Sequence, residues 1–359
     1  MSDTNVPQPE TVIKIIGIGG AGGNAVSHMA SSGLSAFEFI CANTDAQALS
    51  NTRTEKRIQL GESGLGAGSD PVAGRESAIH ERSVIADALK GADMVFLTAG
   101  MGGGTGTGAA PVVAEVAREL GILTVGVVSK PFQFEGPRRM RVAEEGIAVL
   151  ARCVDSLVIV LNSRLEEVLG DDITQKGAFA AADEVLAKAV TGIADIITVP
   201  GMVNVDFEDV RTVMRQTGMA MMGSAQHEGE DRAVKAAEEA ISCPLLDGSN
   251  LRAARGLLVN IAASEESLKL RETRLVMDTI CAQTSDDAII KFGAVFDDTL
   301  GDAMRVTVVA TGLNRPSDFA VGRRSALSRP LNQPQSVLRQ GGVRPTLGQH
   351  EVRTGSTPR

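Results

Sequence analysis

The residues best suited to chemistry in this chain are glycines, and the chemistry they suit is holding phosphate. Gly100–Gly108 reads Gly-Met-Gly-Gly-Gly-Thr-Gly-Thr-Gly. It follows the apolar run Met94–Leu97 and leads into Ala109–Ala114, the order strand, glycine loop, helix. So few side chains leave backbone N–H groups open to an anion, at a helix N-terminus whose dipole favours negative charge. Glycines lose much entropy on folding, so a bare hinge is the weaker reading. Pro111 suits the first helical turn, and Gly121 suits its stop.

A second run, Gly17-Ile18-Gly19-Gly20-Ala21-Gly22-Gly23-Asn24, follows the strand candidate Val12–Ile16. Gly17, Gly19 and Gly22 match the dinucleotide fingerprint, which also asks for an acid about 20 residues on, at the end of the next strand. That strand, Phe37–Ala42, ends in Asn43-Thr44-Asp45, so Asp45 is the candidate acid. An NAD(P)-dependent oxidoreductase is therefore one alternative. It leaves the other glycine loops unexplained, and no His, Lys or Tyr cluster offers a hydride-transfer partner. A third glycine-rich loop, Gly61–Pro71, contains Gly-Leu-Gly-Ala-Gly. None of these loops carries Lys or Arg, so a Lys-bearing P-loop is excluded. Phosphate charge must be met by backbone N–H groups, the Thr105 and Thr107 hydroxyls, helix dipoles and a bound Mg²⁺.

The elements that position these loops alternate. A helix is expected over Val72–Leu89, strands over Ala92–Thr98 and Leu123–Ser129, a helix running to Arg152, and a strand over Ser156–Leu161. This βαβα order predicts an α/β fold with a parallel sheet covered on both faces. Ligands in such sheets sit at the carboxyl ends of strands. All three glycine loops, and Asn43, Glu135 and Asn162, follow strand ends, so they converge on one edge. Ile173–Thr198 predicts a central helix of about seven turns, apolar on more than one side. Beyond it come helix candidates Asp206–Gln216, Gly229–Ser242 and Arg271–Ser285, with strands near Leu257–Ala262, Ala288–Phe296 and Arg305–Ala310. The expected division is a tail over 1–10, a nucleotide-binding domain over 11–172, the central helix over 173–199, a smaller α/β domain over 200–313 and a disordered tail over 314–359.

Asn204-Val205-Asp206-Phe207-Glu208-Asp209 follows the central helix. Asp206 and Asp209, three apart at a helix start, share a face. Acids favour helix N-termini through capping and the dipole, and on spacing alone that reading leads. The glycine loops precede the central helix and these acids follow it. A chain packed around that helix places them at its opposite end.

Composition bounds the function classes. The 359 residues carry a formal charge of −9, but residues 314–359 hold eight Arg against Asp318 and Glu351, a net of +6. The other 313 residues therefore carry −15. An acidic body with no Trp, no Tyr and ten Phe offers little to nucleic acid. Cys41, Cys153, Cys243 and Cys281 lack metal or redox spacing and are expected as buried thiols of a reducing compartment. No stretch is apolar enough to span a membrane, and Met1–Glu10 is polar with two prolines, so a cytoplasmic protein is expected. The basic tail offers a surface for anionic lipid or for acidic filament bodies. Solubilising charges on a linker explain it as well.

Gly102–Gly108 matches the signature of the tubulin family. Together, Gly20–Asn24, Asn43-Thr44-Asp45, Gly64–Gly68, Gly100–Gly108, Phe134-Glu135-Gly136 with Arg139, and Asn204–Asp209 resemble the FtsZ family of bacterial tubulin homologues over about residues 11–313. The resemblance implies a tubulin-like fold and a GTPase of the cell-division ring at mid-cell. Gly20, Ala21, Gly22, Gly23, Gly104, Thr105, Gly106, Thr107 and Gly108 would hold the phosphates. Asn43 would also bind the nucleotide, with Ala67 and Gly68 near the γ-phosphate. Glu135 and Arg139 would meet the ribose. Asn24, Asn162 and Asp183 would read guanine, with Phe179 against the base. Subunits of the family stack head to tail, so Asn204, Asp206 and Asp209 would enter a neighbour's site and act on the attacking water in trans. An interface of that kind, which does not close, gives an open filament. A GTP-regulated, non-hydrolysing scaffold is a further alternative, and Asp206 and Asp209 argue against it. Gly348–Arg359 departs from the apolar-acidic peptide that usually ends the family and docks its membrane tethers. That departure suits a specialised or second copy, or a truncated tail, with other division-site partners.

Overall fold

The computed structural model describes residues 11–31, 34, 36–170, 172–199, 201–216, 218–243, 246 and 251–313. The expected tails over 1–10 and 314–359 lie outside these residues.

The chain order is β1 (Ile13–Ile18), α1 (Gly19–Ser31), β2 (Glu38–Asn43), α2 (Ala46–Ser50), β3 (Lys56–Gln59), α3 (Pro71–His80), α4 (Arg82–Leu89), β4 (Met94–Gly100), α5 (Thr105–Glu119), β5 (Leu123–Lys130), α6 (Pro137–Leu150), β6 (Ser156–Leu161), α7 (Asn162–Leu169) and α8 (Gln175–Thr198). It continues through β7 (Gly201–Val203), α9 (Phe207–Met214), β8 (Met219–Glu228), α10 (Arg232–Ile241), β9 (Gly256–Ala263), α11 (Leu270–Cys281), β10 (Ile289–Phe296) and β11 (Ala303–Leu313).

The strands run in the order β3-β2-β1-β4-β5-β6-β8-β11-β9-β10-β7. From β3 to β6 every pairing is parallel, as the βαβα order predicts. β1, β4 and β5 are buried almost throughout, which is why they read as unbroken apolar runs rather than alternating ones. The second half is mixed: β8, β11 and β9 pair antiparallel, β9 and β10 parallel, β10 and β7 antiparallel. The two halves meet where Val158 of β6 pairs with Ala220 of β8.

α8 is 24 residues long, about 36 Å at 1.5 Å per residue. Thr174 caps it by accepting from the Gly177 N–H. Ala182, Leu186, Val190 and Ile193 join one apolar cluster that includes Ile15 and Val127 on one side and Leu258 and Val309 on the other. The helix is the core shared by both halves, so its apolar surface covers more than one side.

The structure departs from several expectations. The helix expected over Val72–Leu89 is two helices broken at Glu81, whose φ/ψ of −93°/17° is not helical. β8 was not expected; its outer half, Ser224–Glu228, is mostly polar, with Gln226 and Glu228 exposed and the rest half-buried. Pro111 is not in the first turn of α5. The helix starts at Thr105, inside the glycine run, and Pro111 is its seventh residue. Cys41 and Cys153 are buried, but Cys243 is half-buried and Cys281 is exposed.

Candidate functional site

Six of the eight residues of the first glycine run, and four of the nine of Gly100–Gly108, are helix N-terminus rather than loop. α1 begins at Gly19 and α5 at Thr105. The first four N–H groups of each helix lack intrahelical partners, so the sequence that looked like open loop supplies oriented donors.

The glycines divide by what surrounds them. Some permit close backbone packing. A methyl group added at Gly22 would stand 2.3 Å from the Thr98 carbonyl oxygen, and one at Gly106 would stand 2.4 Å from the Gly100 carbonyl oxygen. One at Gly108 would stand 2.0 Å from the Pro71 carbonyl oxygen, where α5 crosses α3. Others face open space: at Gly20, Gly68 and Gly103 a methyl group would meet nothing within 4 Å. An anion cradle needs both kinds. The first draws helix, strand and neighbouring loop together, and the second leaves a surface of bare backbone facing outward.

Specific contacts join these loops. The Gly104 N–H donates to the Gly68 carbonyl at 3.0 Å, which ties the loop of Ala67 to the start of α5. The Thr44 and Thr105 hydroxyls lie 2.6 Å apart, which ties the end of β2 to the same point. Gly19 lies against Gly106, and Ala21 against Gly100. The Arg139 stem packs on Gly102, and the Arg139 guanidinium pairs with Glu135 at 3.0 Å. Asn43 is buried, and its side-chain oxygen accepts from the Asp45 N–H. The Thr107 hydroxyl is buried and accepts from the Gly102 N–H at 2.8 Å. It braces the loop from within, so an outward-facing ligand meets Thr107 through its N–H rather than its hydroxyl.

The far end of this face is aromatic and amide-lined. Phe132 and Phe134 stack at 5.2 Å, and Phe179 from α8 meets both edge-on. Phe134 and Phe179 remain partly exposed. Beside them lies a cavity of about 410 Å³ walled by Phe134, Glu166, Leu169, Ile173 and Ala178. Asn162 begins α7 and is buried, and its side-chain oxygen has no hydrogen-bond partner. Asp183 of α8 is pushed up to about 6 by burial, against a hydrogen bond with Asn24 that pulls it down. That bond fastens α8 to α1.

Glycine runs, Asn43, Ala67, Glu135, Arg139, Asn162, Phe179 and Asp183 thus belong to one connected face at the carboxyl edge of the parallel strands. The Glu135 carboxylate is already engaged on both oxygens, by Arg139 and by the Phe132 N–H. Thr44 was missed as a site residue, because its contribution is a contact with Thr105 of another loop, which no local pattern encodes. Asp45 accepts from the N–H groups of Gln47 and Ala48 as the N-cap of α2. The acid that a dinucleotide site would need is therefore occupied as a helix cap.

Asn204, Asp206 and Asp209 do not join this face. Asp183 marks the glycine face on α8, and the helix runs on 15 residues to Thr198, about 22 Å. The acidic loop has its own construction. β7 pairs with the edge of β10, and the Asn204 side-chain oxygen accepts from the Gly201 N–H at 2.9 Å. Val205 is buried. Asp206 is the N-cap of α9 and accepts from the Asp209 N–H at 2.7 Å. Val210, Val213 and Met214 bury the inner side of α9. Asn204 and Asp206 face outward, and Asp209 is half-buried. Among the described residues no group of three or more His, Cys, Asp or Glu side chains could hold a metal ion, and no helix is long and apolar enough to cross a membrane.

Residues 12–170 match the model of the Tubulin/FtsZ family GTPase domain, and residues 218–314 match that of the FtsZ family C-terminal domain. The chain is 56% identical over 317 residues to the cell division protein FtsZ of Azotobacter vinelandii, covering 88% of this chain and 80% of that one. It is 48% identical over 344 residues to that of Neisseria meningitidis, covering 94% and 88%. Among solved structures, an FtsZ dimer from M. jannaschii superimposes with a TM-score of 0.81 at 38% identity, covering 90% of this chain and 96% of that one. A CetZ2 protofilament subunit from Haloferax volcanii, at 22% identity and a TM-score of 0.72, covers 86% and 96% and shares the fold.

Proposed function

This chain belongs to the tubulin/FtsZ family of GTPases, and we propose that it assembles head to tail into cell-division filaments and hydrolyses GTP between subunits. One observation carries this reading. The connected glycine face holds no acid placed to activate water, and an anchored pair of acids stands about 22 Å along α8, beyond reach of the same nucleotide. A second copy stacked on the first brings the two together. The dimer described for the M. jannaschii relative supports self-association, and the cell-division role of the relatives supports action at the division site.

In this reading the first-turn N–H groups at Gly20–Ala21 of α1 and Thr105–Thr107 of α5 hold the phosphates, while Gly22, Gly23, Gly104 and Gly108 shape the cradle, the N–H of Gly104 being taken by the Gly68 carbonyl and that of Gly108 by the Gly104 carbonyl. Ala67 and Gly68 lie near the γ-phosphate. Mg²⁺ bound with the triphosphate would offset phosphate charge, which none of the glycine loops meets with a Lys or Arg side chain. Guanine presents N–H donors on its pairing edge, and ionised Asp183 accepts them, with the unpartnered oxygen of Asn162 and the amide of Asn24 beside it. Phe179 packs on the base, and Arg139 with Glu135 faces the ribose. Asp206 and Asp209 of the neighbour orient the water that attacks the γ-phosphorus, as the bond to the GDP oxygen breaks. Phosphoryl transfer asks mainly for positioning and charge stabilisation, so late-arriving carboxylates can switch it on.

The test is phosphate release from GTP across a range of subunit concentrations. Specific activity should rise above a critical concentration and be lost in Asp209→Ala. Activity that does not depend on concentration would reject hydrolysis in trans.

A further inference from the structure

Asp209 is not left to solvent. The Lys291 Nζ lies 2.6 Å from its Oδ1, with each side chain about a third exposed (36% and 35%). The contact follows from strand periodicity. Successive side chains of β10 alternate between the faces of the sheet, so Lys291 shares a face with Gly293. A methyl group at Gly293 would meet Ile196 of α8 and Val205 of the acidic loop at 3.3 and 3.4 Å. Gly293 lets the loop lie flat on the strand, and two residues earlier the strand raises a lysine to the first turn of α9. The same strand pairs with β7. β10 therefore holds the acidic loop at both ends, by backbone pairing before Asn204 and by an ion pair at Asp209.

We propose that Lys291 is a positioning residue for hydrolysis, an inference that rests on the in-trans reading above. It does two things. It selects one orientation of the Asp209 carboxylate, so that Asp206, oriented by capping α9, and Asp209, oriented by Lys291, present a fixed pair. It also offsets one negative charge on a loop that has to approach a triphosphate. Asp206, Glu208 and Asp209 cluster there. Arg211 already pairs with Glu208 at 2.8 Å, so Lys291 is the cation that answers Asp209. An ion pair this open to solvent is screened and contributes little to folding. Its effect is expected in turnover, where small misplacements of a reacting group are costly.

The experiment compares Lys291→Met, Lys291→Glu and Lys291→Arg in the full chain, with Asp209→Ala as control. The readouts are GTP turnover at saturating subunit concentration, the KM for GTP, GTP affinity below the critical concentration, and thermal unfolding. The Met variant should lose about ten-fold in turnover with KM and affinity unchanged, because Lys291 does not touch the glycine face. The Glu variant should lose more, since it adds a like charge beside Asp209. The Arg variant should return turnover to near the original. Wild-type turnover in the Met variant, with Asp209→Ala inactive, overturns this inference and leaves the in-trans reading standing. Equal losses in the Met, Glu and Arg variants assign Lys291 a packing role and also overturn it. Full activity in Asp209→Ala overturns the in-trans reading itself.

Discussion

At the N-terminal end of α8, the candidate site is made of backbone. Its donors are first-turn N–H groups of α1 and α5, its walls are glycines, and its loops are held by contacts such as Gly104 to Gly68 and Thr44 to Thr105. Past the C-terminal end of α8, the site is made of side chains. Asn204, Asp206 and Asp209 are each fastened, to Gly201, to the start of α9 and to Lys291. In the proposed reading the first region binds the phosphate chain and the second orients the attacking water. The difference teaches why such a chain would act only as an assembly: the two halves of the chemistry are separated by a rigid helix, and stacking copies joins them.

Breaking the acidic half should have the largest effect. Asp209→Ala should reduce GTP turnover by about a hundred-fold or more, the range for removing a positioned acid–base group, while GTP binding by single subunits stays unchanged. Asp206→Asn sharpens the point. Asn caps helices as well as Asp does, so thermal stability should hold while turnover falls. Full turnover in that variant would reduce Asp206 to a cap.

The glycine half is tested by two substitutions of the same size. Gly22→Ala puts a methyl group 2.3 Å from the Thr98 carbonyl oxygen and should destabilise the fold by about 1–3 kcal/mol, as overpacking does. Gly20→Ala meets nothing within 4 Å. It should melt as the parent does yet bind GTP about ten-fold more weakly, or 1.4 kcal/mol. Calorimetric melting and nucleotide titration separate the two. Unchanged GTP affinity in Gly20→Ala would remove that glycine from the cradle.

Asp183 links the glycine half to pH. Burial raises it to about 6, and only its ionised form accepts from guanine N–H groups. GTP affinity should be full above pH 7 and fall through pH 6, by about ten-fold at pH 5. A flat profile between pH 5 and 7 would remove Asp183 from base recognition.

The smallest effect should come from between the halves. Asp195 of α8 is also raised to about 6, by burial first, against Arg305 and with Asp297. Its folded value lies above that of a free aspartate, so the unfolded chain ionises first. Its contribution to stability is then fully present below about pH 4 and lost as pH rises through 6. Asp195→Asn should flatten that part of the stability profile without altering turnover at pH 7.5. An unchanged profile would show that the carboxylate is solvated in the folded protein.

Much of this was legible because it is local. Strand, glycine run and helix follow one another in sequence, and the buried parallel strands are unbroken apolar runs. The convergence of their ends follows from a general property of parallel α/β sheets. Boundaries failed where tertiary packing overrode the pattern. α5 begins among glycines because Gly104 and Gly108 sit directly on the loop of Ala67 and on α3, and the polar outer half of β8 is a strand because β11 pairs with it. Capping, the simpler reading of Asp206, is realised in the structure, and its cap also orients the carboxylate.

Gly100–Gly108, as a sequence, determined that this protein could cradle phosphate without a lysine, because side-chain-free residues at a helix start leave backbone donors exposed. The order of segments also determined that the acids come after the long helix. Three matters were left to the tertiary structure. It decided which glycines face outward and which are crushed against a neighbouring carbonyl. It turned the Thr107 hydroxyl inward, and it set Lys291 against Asp209. Each depends on contacts between residues far apart in the chain, and only folding brings those together.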